Sequence, residues 1–242
     1  MRVPRLFLLP LLVVAACSPG APSSEETGIA SQAYMAPLAT RLQSQGIATL
    51  NVDYREVGDG GGWPGSFADW VASARLIEEV AAAYSIDRAR VTLVGHSAGG
   101  LAAHWLATAQ GANGPFGARA PVDVRAAIVL DGPGDLLAET PAFDALCEFS
   151  AVEPFIGGAP DDTPQRYTAI APATAAPQLA ELLFVQAKLP RPSAATQAAL
   201  AANGARISVR ENAGMSHFAI ITPGDPAYAA NEAAILAVLK GE

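Results

Sequence analysis

Ser97 lies in Gly95-His96-Ser97-Ala98-Gly99-Gly100, where an apolar, β-branched run gives way to helix-forming residues. A serine with glycine two residues before and two after it, in a strand-to-helix corner, is placed to lift its hydroxyl above a sheet edge as a nucleophile. The chain must reverse sharply there, so Ser97 is expected in a strained backbone conformation. Small neighbours let the strand and helix come close. The N–H of Ala98 then falls at a helix N-terminus, aimed where an oxyanion would develop.

A serine hydroxyl needs a base, and the chain has three histidines. His96 adjoins Ser97 and is expected to point away from it. His104 lies seven residues along the next helix and reads as a packed or partly exposed helical residue. His217 sits in Gly214-Met215-Ser216-His217-Phe218, between the last strand and the last helix. A base there could swing back over the strand ends, and it keeps the chain order nucleophile, acid, base. The acid is the open position. It commonly follows the strand at 182–187, yet no Asp or Glu occurs between Glu181 and Glu211. Asp131, directly after the apolar run at 126–130, is the best substitute, because functional groups gather at the carboxyl ends of parallel strands. Asp135 is the second candidate. Asp131 also reads as a turn or helix-cap residue.

These groups need a scaffold, and the body of the chain alternates strand and helix signals. A helical stretch from about Tyr34 ends at Gly46, and Ile47 to Tyr54 reads as a buried strand. A glycine-rich loop, Gly58 to Gly65, follows. Ser66 with Asp69 looks like a helix N-cap pair, and the helix after it places Trp70, Ala74, Ile77, Ala81 and Tyr84 on one face. Arg90 to Val94, Val124 to Leu130, Leu182 to Ala187 and Arg206 to Arg210 read as strands. Helices are expected over Ala98 to Gln110, Ser193 to Ala202 and Pro226 to Lys240. Residues 132–180 are rich in Pro and Gly, with short helical pieces, and form a candidate cap region. This alternation predicts an α/β fold, a doubly wound and mostly parallel sheet covered on both faces.

The N-terminus reads as an address. Arg2 and Arg5 precede the apolar run Leu6 to Ala16, which is too short to span a bilayer, a span needing about 20 residues, and fits a secretory leader over residues 1–16. Val14-Ala15-Ala16-Cys17 resembles a bacterial lipobox, which implies cleavage before Cys17, lipid on its thiol and an exported chain anchored to the cell envelope. Residues 17–30 then form a flexible tether and 31–242 the folded domain. With Cys17 acylated, Cys147 stands alone and reads as a buried structural cysteine. The chain is 51% hydrophobic and only 16% charged, enough to bury a sizeable core, and its net charge of −8 argues against nucleic acid or an anionic membrane surface as the main partner. No phosphate-binding glycine loop ends in Lys-Ser/Thr, and no His/Cys/Asp cluster has metal-ligand spacing. Neither a cofactor nor a metal is expected.

Several runs together resemble the esterase/lipase and kynurenine-formamidase-like branch of the α/β-hydrolases. They are Tyr34-Met35-Ala36-Pro37-Leu38, Asn51-Val52-Asp53-Tyr54-Arg55, Gly62-Trp63-Pro64-Gly65, the Ser97 corner, Phe155-Ile156-Gly157-Gly158-Ala159-Pro160 and the His217 loop. The resemblance spans roughly residues 31–240. It implies a serine hydrolase acting on a small ester or amide, with Ser97 as nucleophile and His217 as base. The chain departs from the family in two ways besides the acid. No His-Gly-Gly loop, the family's usual second source of oxyanion N–H groups, precedes the helix near Tyr34. The early strands also look missing, including one that normally lies between the strands at 47–54 and 90–94. Two readings follow: a serine esterase forming an acyl-enzyme on Ser97, or a catalytically weak or inactive hydrolase-fold lipoprotein that binds a ligand or partner. Arylformamide cleavage is a narrower expectation from the family branch alone.

Overall fold

The computed structural model describes residues 10–14, 32–108, 116, 124–172, 179–202 and 204–242. Cys17 and the expected tether at 17–30 lie outside the described residues. Among the described residues six parallel strands form one sheet: β1 (Pro10–Val14), β2 (Leu50–Val52), β3 (Val91–His96), β4 (Val124–Leu130), β5 (Glu181–Gln186) and β6 (Arg206–Glu211), in the order β2-β1-β3-β4-β5-β6. β3, β4 and β5 are apolar almost throughout, as strands covered on both faces must be. Alternate residues enter opposite cores. Leu93, Ala127, Val129, Leu182 and Phe184 pack on one side, and Val94, Ile128, Leu130, Leu183 and Val185 on the other.

Helix α1 (Gln32–Ser44) and helix α8 (Pro226–Lys240) cover the second side, through Met35, Leu38, Leu42, Tyr228, Ile235 and Leu239. Helix α2 (Gly65–Tyr84) and helix α3 (Ala98–Ala107) cover the first. Trp70, Ala74, Ile77 and Ala81 are buried at the expected helical spacing, but Tyr84 is 66% exposed. It is the last residue of α2, where Ser85 turns the chain away in a left-handed cap. Ser66 is not the N-cap either. Pro64 holds that position, and the Ser66 hydroxyl instead donates to the Arg55 carbonyl and accepts from Gly62 N–H, tying down the 55–62 loop. Asp69 accepts from Arg55.

The region 132–180 contains α4 (Leu136–Cys147), α5 (Val152–Ile156) and α6 (Pro164–Ile170), and α7 (Ala194–Leu200) follows β5. α5 and α6 are tied to the body, Trp63 N–H donating to the Phe155 carbonyl and the Trp105 indole to the Ala169 carbonyl. Cys147 is disulfide-bonded and half-buried. The isolated, buried thiol expected there is therefore corrected; that expectation rested on setting Cys17 aside as acylated.

The position between β2 and β3, expected to be empty, is filled. β1 pairs Leu11, Leu12 and Val13 with Leu50, Asn51 and Val52 on one side, and Pro10 to Val14 with Thr92 to His96 on the other. Its residues come from the run that reads as a leader. A short aliphatic stretch has no periodicity, so its pattern does not separate a secretory core from a buried strand. Strand order reverses between β1 and β3, and in open α/β sheets the crevice for ligands lies at such a switch point, beyond the carboxyl ends of the strands. Ser97 is the residue that follows β3 there.

Candidate active site

Three corners at one end of the sheet carry the residues singled out above. At the first, Ser97 adopts φ 56 and ψ −127, a conformation that costs an ordinary side chain of order 1–3 kcal/mol. The corner holds because its neighbours are small. A Cβ on Gly95 would lie 1.8 Å from the Gly99 carbonyl oxygen, and one on Gly100 would lie 2.8 Å from the Val129 side chain and 3.0 Å from Gly132. Backbone bonds fix both sides of Ser97: its N–H donates to Leu130, and its carbonyl accepts from Gly100. The Ser97 hydroxyl is fully buried and has no hydrogen-bond partner. Ala98 opens α3, so its N–H is among those that no helical carbonyl can satisfy.

Asp131 forms the second corner, directly after β4, and also has positive φ, 44°. Its N–H donates to the Val185 carbonyl of the neighbouring strand. Its carboxylate then reaches across to the end of β5. Oδ1 accepts from the N–H groups of Ala187 (2.7 Å), Lys188 (2.9 Å) and Leu189 (2.9 Å). Oδ2 is 2.7 Å from Nδ1 of His217. A carboxylate therefore stands at the end of β5 although the sequence has no acid there: the neighbouring strand supplies it. Burial pushes the Asp131 carboxyl upward, but the bonds from His217 and the backbone N–H groups outweigh burial and hold it below the ordinary carboxylate value. An ionised Oδ2 fixes the imidazole tautomer. Nδ1–H donates to it, which leaves Nε2 of His217 as a bare acceptor. Asp135, the second candidate, lies elsewhere. It caps α4 by accepting from Ala138 N–H.

His217, at the third corner, is buried in the turn between β6 and α8. His96 does not point away from this site. Its ring packs against that of His217 at a 40° tilt with centroids 4.3 Å apart, and its Nε2 lies 2.9 Å from the His217 carbonyl oxygen. The residue just before Ser97 thus touches the loop that carries His217. His104 is buried in α3 and packs near Phe184, apart from these contacts. Gln186 is a further site residue that the sequence did not single out. Its amide donates to the carbonyls of Gly132 and Pro190, tying the Asp131 corner to the turn that supplies the three N–H groups. No sequence signal marks Gln186, whereas His96 could have been suspected from its place beside the serine. Among the described residues no group of three His, Cys, Asp or Glu is arranged to hold a metal ion.

Several solved structures named as esterases share this architecture at low sequence identity. A truncated carbohydrate esterase from gut microbiota superposes with a TM-score of 0.70 at 17% identity, covering 100% of this chain and 88% of that one. Esterase B from Lactobacillus rhamnosis gives 0.73 at 16%, covering 99% and 78%. Esterase 2 of Thermogutta terrifontis, phosphoramylated by tabun, gives 0.65 at 17%, covering 98% and 84%. No curated protein sequence matches the chain. The family model named BD-FAE matches residues 19–186, a span that includes Ser97 and Asp131 and stops before His217. With more than half its length matched, the chain belongs to the BD-FAE family of α/β-hydrolase esterases.

Proposed function

We propose that the protein is a serine carboxylesterase that cleaves a small ester through an acyl-enzyme on Ser97. The observation that carries this reading is the hydrogen bond between Asp131 and His217, with Asp131 following β4 and Ser97, whose buried hydroxyl has no hydrogen-bond partner, following the adjacent strand β3. In this mechanism Nε2 of His217 takes the Ser97 proton as Oγ attacks the ester carbonyl. Asp131 keeps Nδ1–H in place and stabilises the imidazolium that forms. The Ala98 N–H, at the head of α3, donates to the oxyanion. The imidazolium then protonates the departing alcohol, and water activated by the same base releases the acid.

The alternative of a weak or inactive binding protein rested partly on the missing acid, and the neighbouring strand offers one. The decisive experiment is hydrolysis of short-chain p-nitrophenyl esters by the wild type and by Ser97→Ala. This reading expects turnover that disappears in the variant. Equal rates for both would end it.

Export with lipid on Cys17 is a separate proposal, tested by the intact mass of the protein recovered from membranes. It carries two structural conditions. The chain has two cysteines, so a lipidated Cys17 thiol is unavailable to pair with Cys147, whose disulfide must then be absent. Cleavage before Cys17 removes β1, and the sheet must then hold β2 and β3 without their shared partner.

A further inference from the structure

We infer that His96 is a positioning residue for the base: its Nε2–H grips the carbonyl of His217 and its ring fixes the plane of the His217 imidazole. The inference rests on the esterase reading above and extends it to a residue for which the Ser97 corner alone assigns no part.

Two observations point to it independently. The first is the hydrogen bond. A carbonyl only accepts, so at 2.9 Å the His96 Nε2 must carry the proton and donate. The second is ring packing, with the His217 ring tilted 40° against His96. Four rings pack together: His96 against His217 at 4.3 Å, His96 against Phe218 at 5.5 Å, Tyr34 of α1 against His96 at 6.5 Å, and Tyr34 against Phe218 at 5.0 Å. His217 sits in a turn, without a helix or strand to fix its orientation. The bond and the ring contact supply that orientation from β3, the strand that also delivers Ser97 one residue later. Nucleophile and base are therefore held by consecutive residues of one rigid element.

His96 suits this part because it stays uncharged. Burial first, then the nearby His217, push it down to about 3. It therefore presents a fixed N–H donor and no positive charge while His217 holds the transferred proton. A cation at that spacing would oppose the imidazolium on which turnover depends.

The test compares His96→Phe, which keeps a ring of similar size and loses the donor, with His96→Gln, whose amide N–H reaches about as far as Nε2. Two readouts separate positioning from packing. One is kcat and KM on a short-chain p-nitrophenyl ester across pH. The other is the low-field proton resonance of His217 Nδ1–H, which reports its bond to Asp131 without requiring turnover. His96→Phe leaves the buried His217 carbonyl without its donor and should melt somewhat lower while remaining folded at the assay temperature; it should leave KM nearly unchanged and lower kcat by on the order of 10²-fold, the penalty typical of a misplaced catalytic group. Its low-field resonance should broaden or vanish. His96→Gln should restore the resonance and most of kcat. A His96→Phe enzyme with wild-type kcat and an unchanged resonance would overturn the inference, as would a His96→Gln enzyme no better than His96→Phe. Should His96→Phe fail to fold, His96→Asn, whose shorter amide stops short of the carbonyl, takes its place. If wild type shows no Ser97-dependent turnover, the esterase reading fails, and the resonance still decides the part played by His96.

Discussion

Replacing Asp131 with Asn changes one atom of the carboxylate and puts its geometry to a direct test. Oδ1 of Asp131 accepts from three backbone N–H groups, and Oδ2 bonds His217. An asparagine can satisfy the three N–H groups only with its carbonyl oxygen at Oδ1. Its NH2 is then forced to face Nδ1 of His217. Two donors cannot share that contact, so the imidazole must move its proton to Nε2, the atom that has to accept from Ser97. The fold survives and the base is in the wrong tautomer. A loss of about 10⁴ in kcat is expected, about 5 kcal/mol of transition-state stabilisation. Asp131→Ala should do something different. It strands three N–H groups, each costing about 1–3 kcal/mol when buried without a partner, so the melting temperature falls as well as the rate. Asp135→Asn should leave kcat alone, because that side chain caps α4. The assay is kcat on a short-chain ester together with thermal denaturation of all three variants. An Asp131→Asn enzyme within tenfold of wild type, or an Asp135→Asn enzyme as impaired as Asp131→Asn, would refute the reasoning.

Three further outcomes follow from the structure. Gly95→Ala places a methyl group 1.8 Å from the Gly99 carbonyl, so the Ser97 corner must distort; its melting temperature should drop well below that of Ser97→Ala, and an equal value would contradict the close approach described. Glu139 is buried, accepts from the N–H groups of Gly134 and Asp135, and is raised to about 7, by burial above all. Its folded pKa lies above its unfolded value, so its contribution is complete below about pH 4.5 and is lost as pH rises through about 7, on the order of 3 kcal/mol; melting curves should show wild type losing ground to Glu139→Gln between pH 5 and 8, and a difference independent of pH would rule this out. Removal of residues 2–16 deletes β1 and opens the edges of β2 and β3, so the truncated chain should melt lower than the full one; unchanged melting would show that the sheet closes without β1.

The sequence was most informative where local rules dominate. β4 and α8 lie at the residues expected from pattern and flanking signals, and the Ser97 corner has the expected strain because glycine spacing and a strand-to-helix switch are local features. Elements whose bounds depend on packing came out differently. The strand expected at 47–54 runs only over Leu50–Val52, and Tyr84 follows the helical period yet lies past the end of the core. Asp131 could be named as a candidate from its place after β4. Its partners could not, because they are main-chain N–H groups some 56 to 58 residues away that carry no side-chain signature. The same holds for His96, whose acceptor is a carbonyl 121 residues away. The segment 10–14 shows a different limit: one aliphatic run has the pattern of both a secretory core and a buried strand, and its pairing with β2 and β3 carries no signature in sequence.

Turnover depends on activation of the buried hydroxyl at the β3–α3 corner by the imidazole from the β6–α8 turn. Treatment with a fluorophosphonate, digestion and mass mapping measure this directly. One adduct is expected, on the peptide containing Ser97, forming far more slowly in His217→Gln. An unmodified Ser97, or modification at the same rate with and without His217, would contradict it.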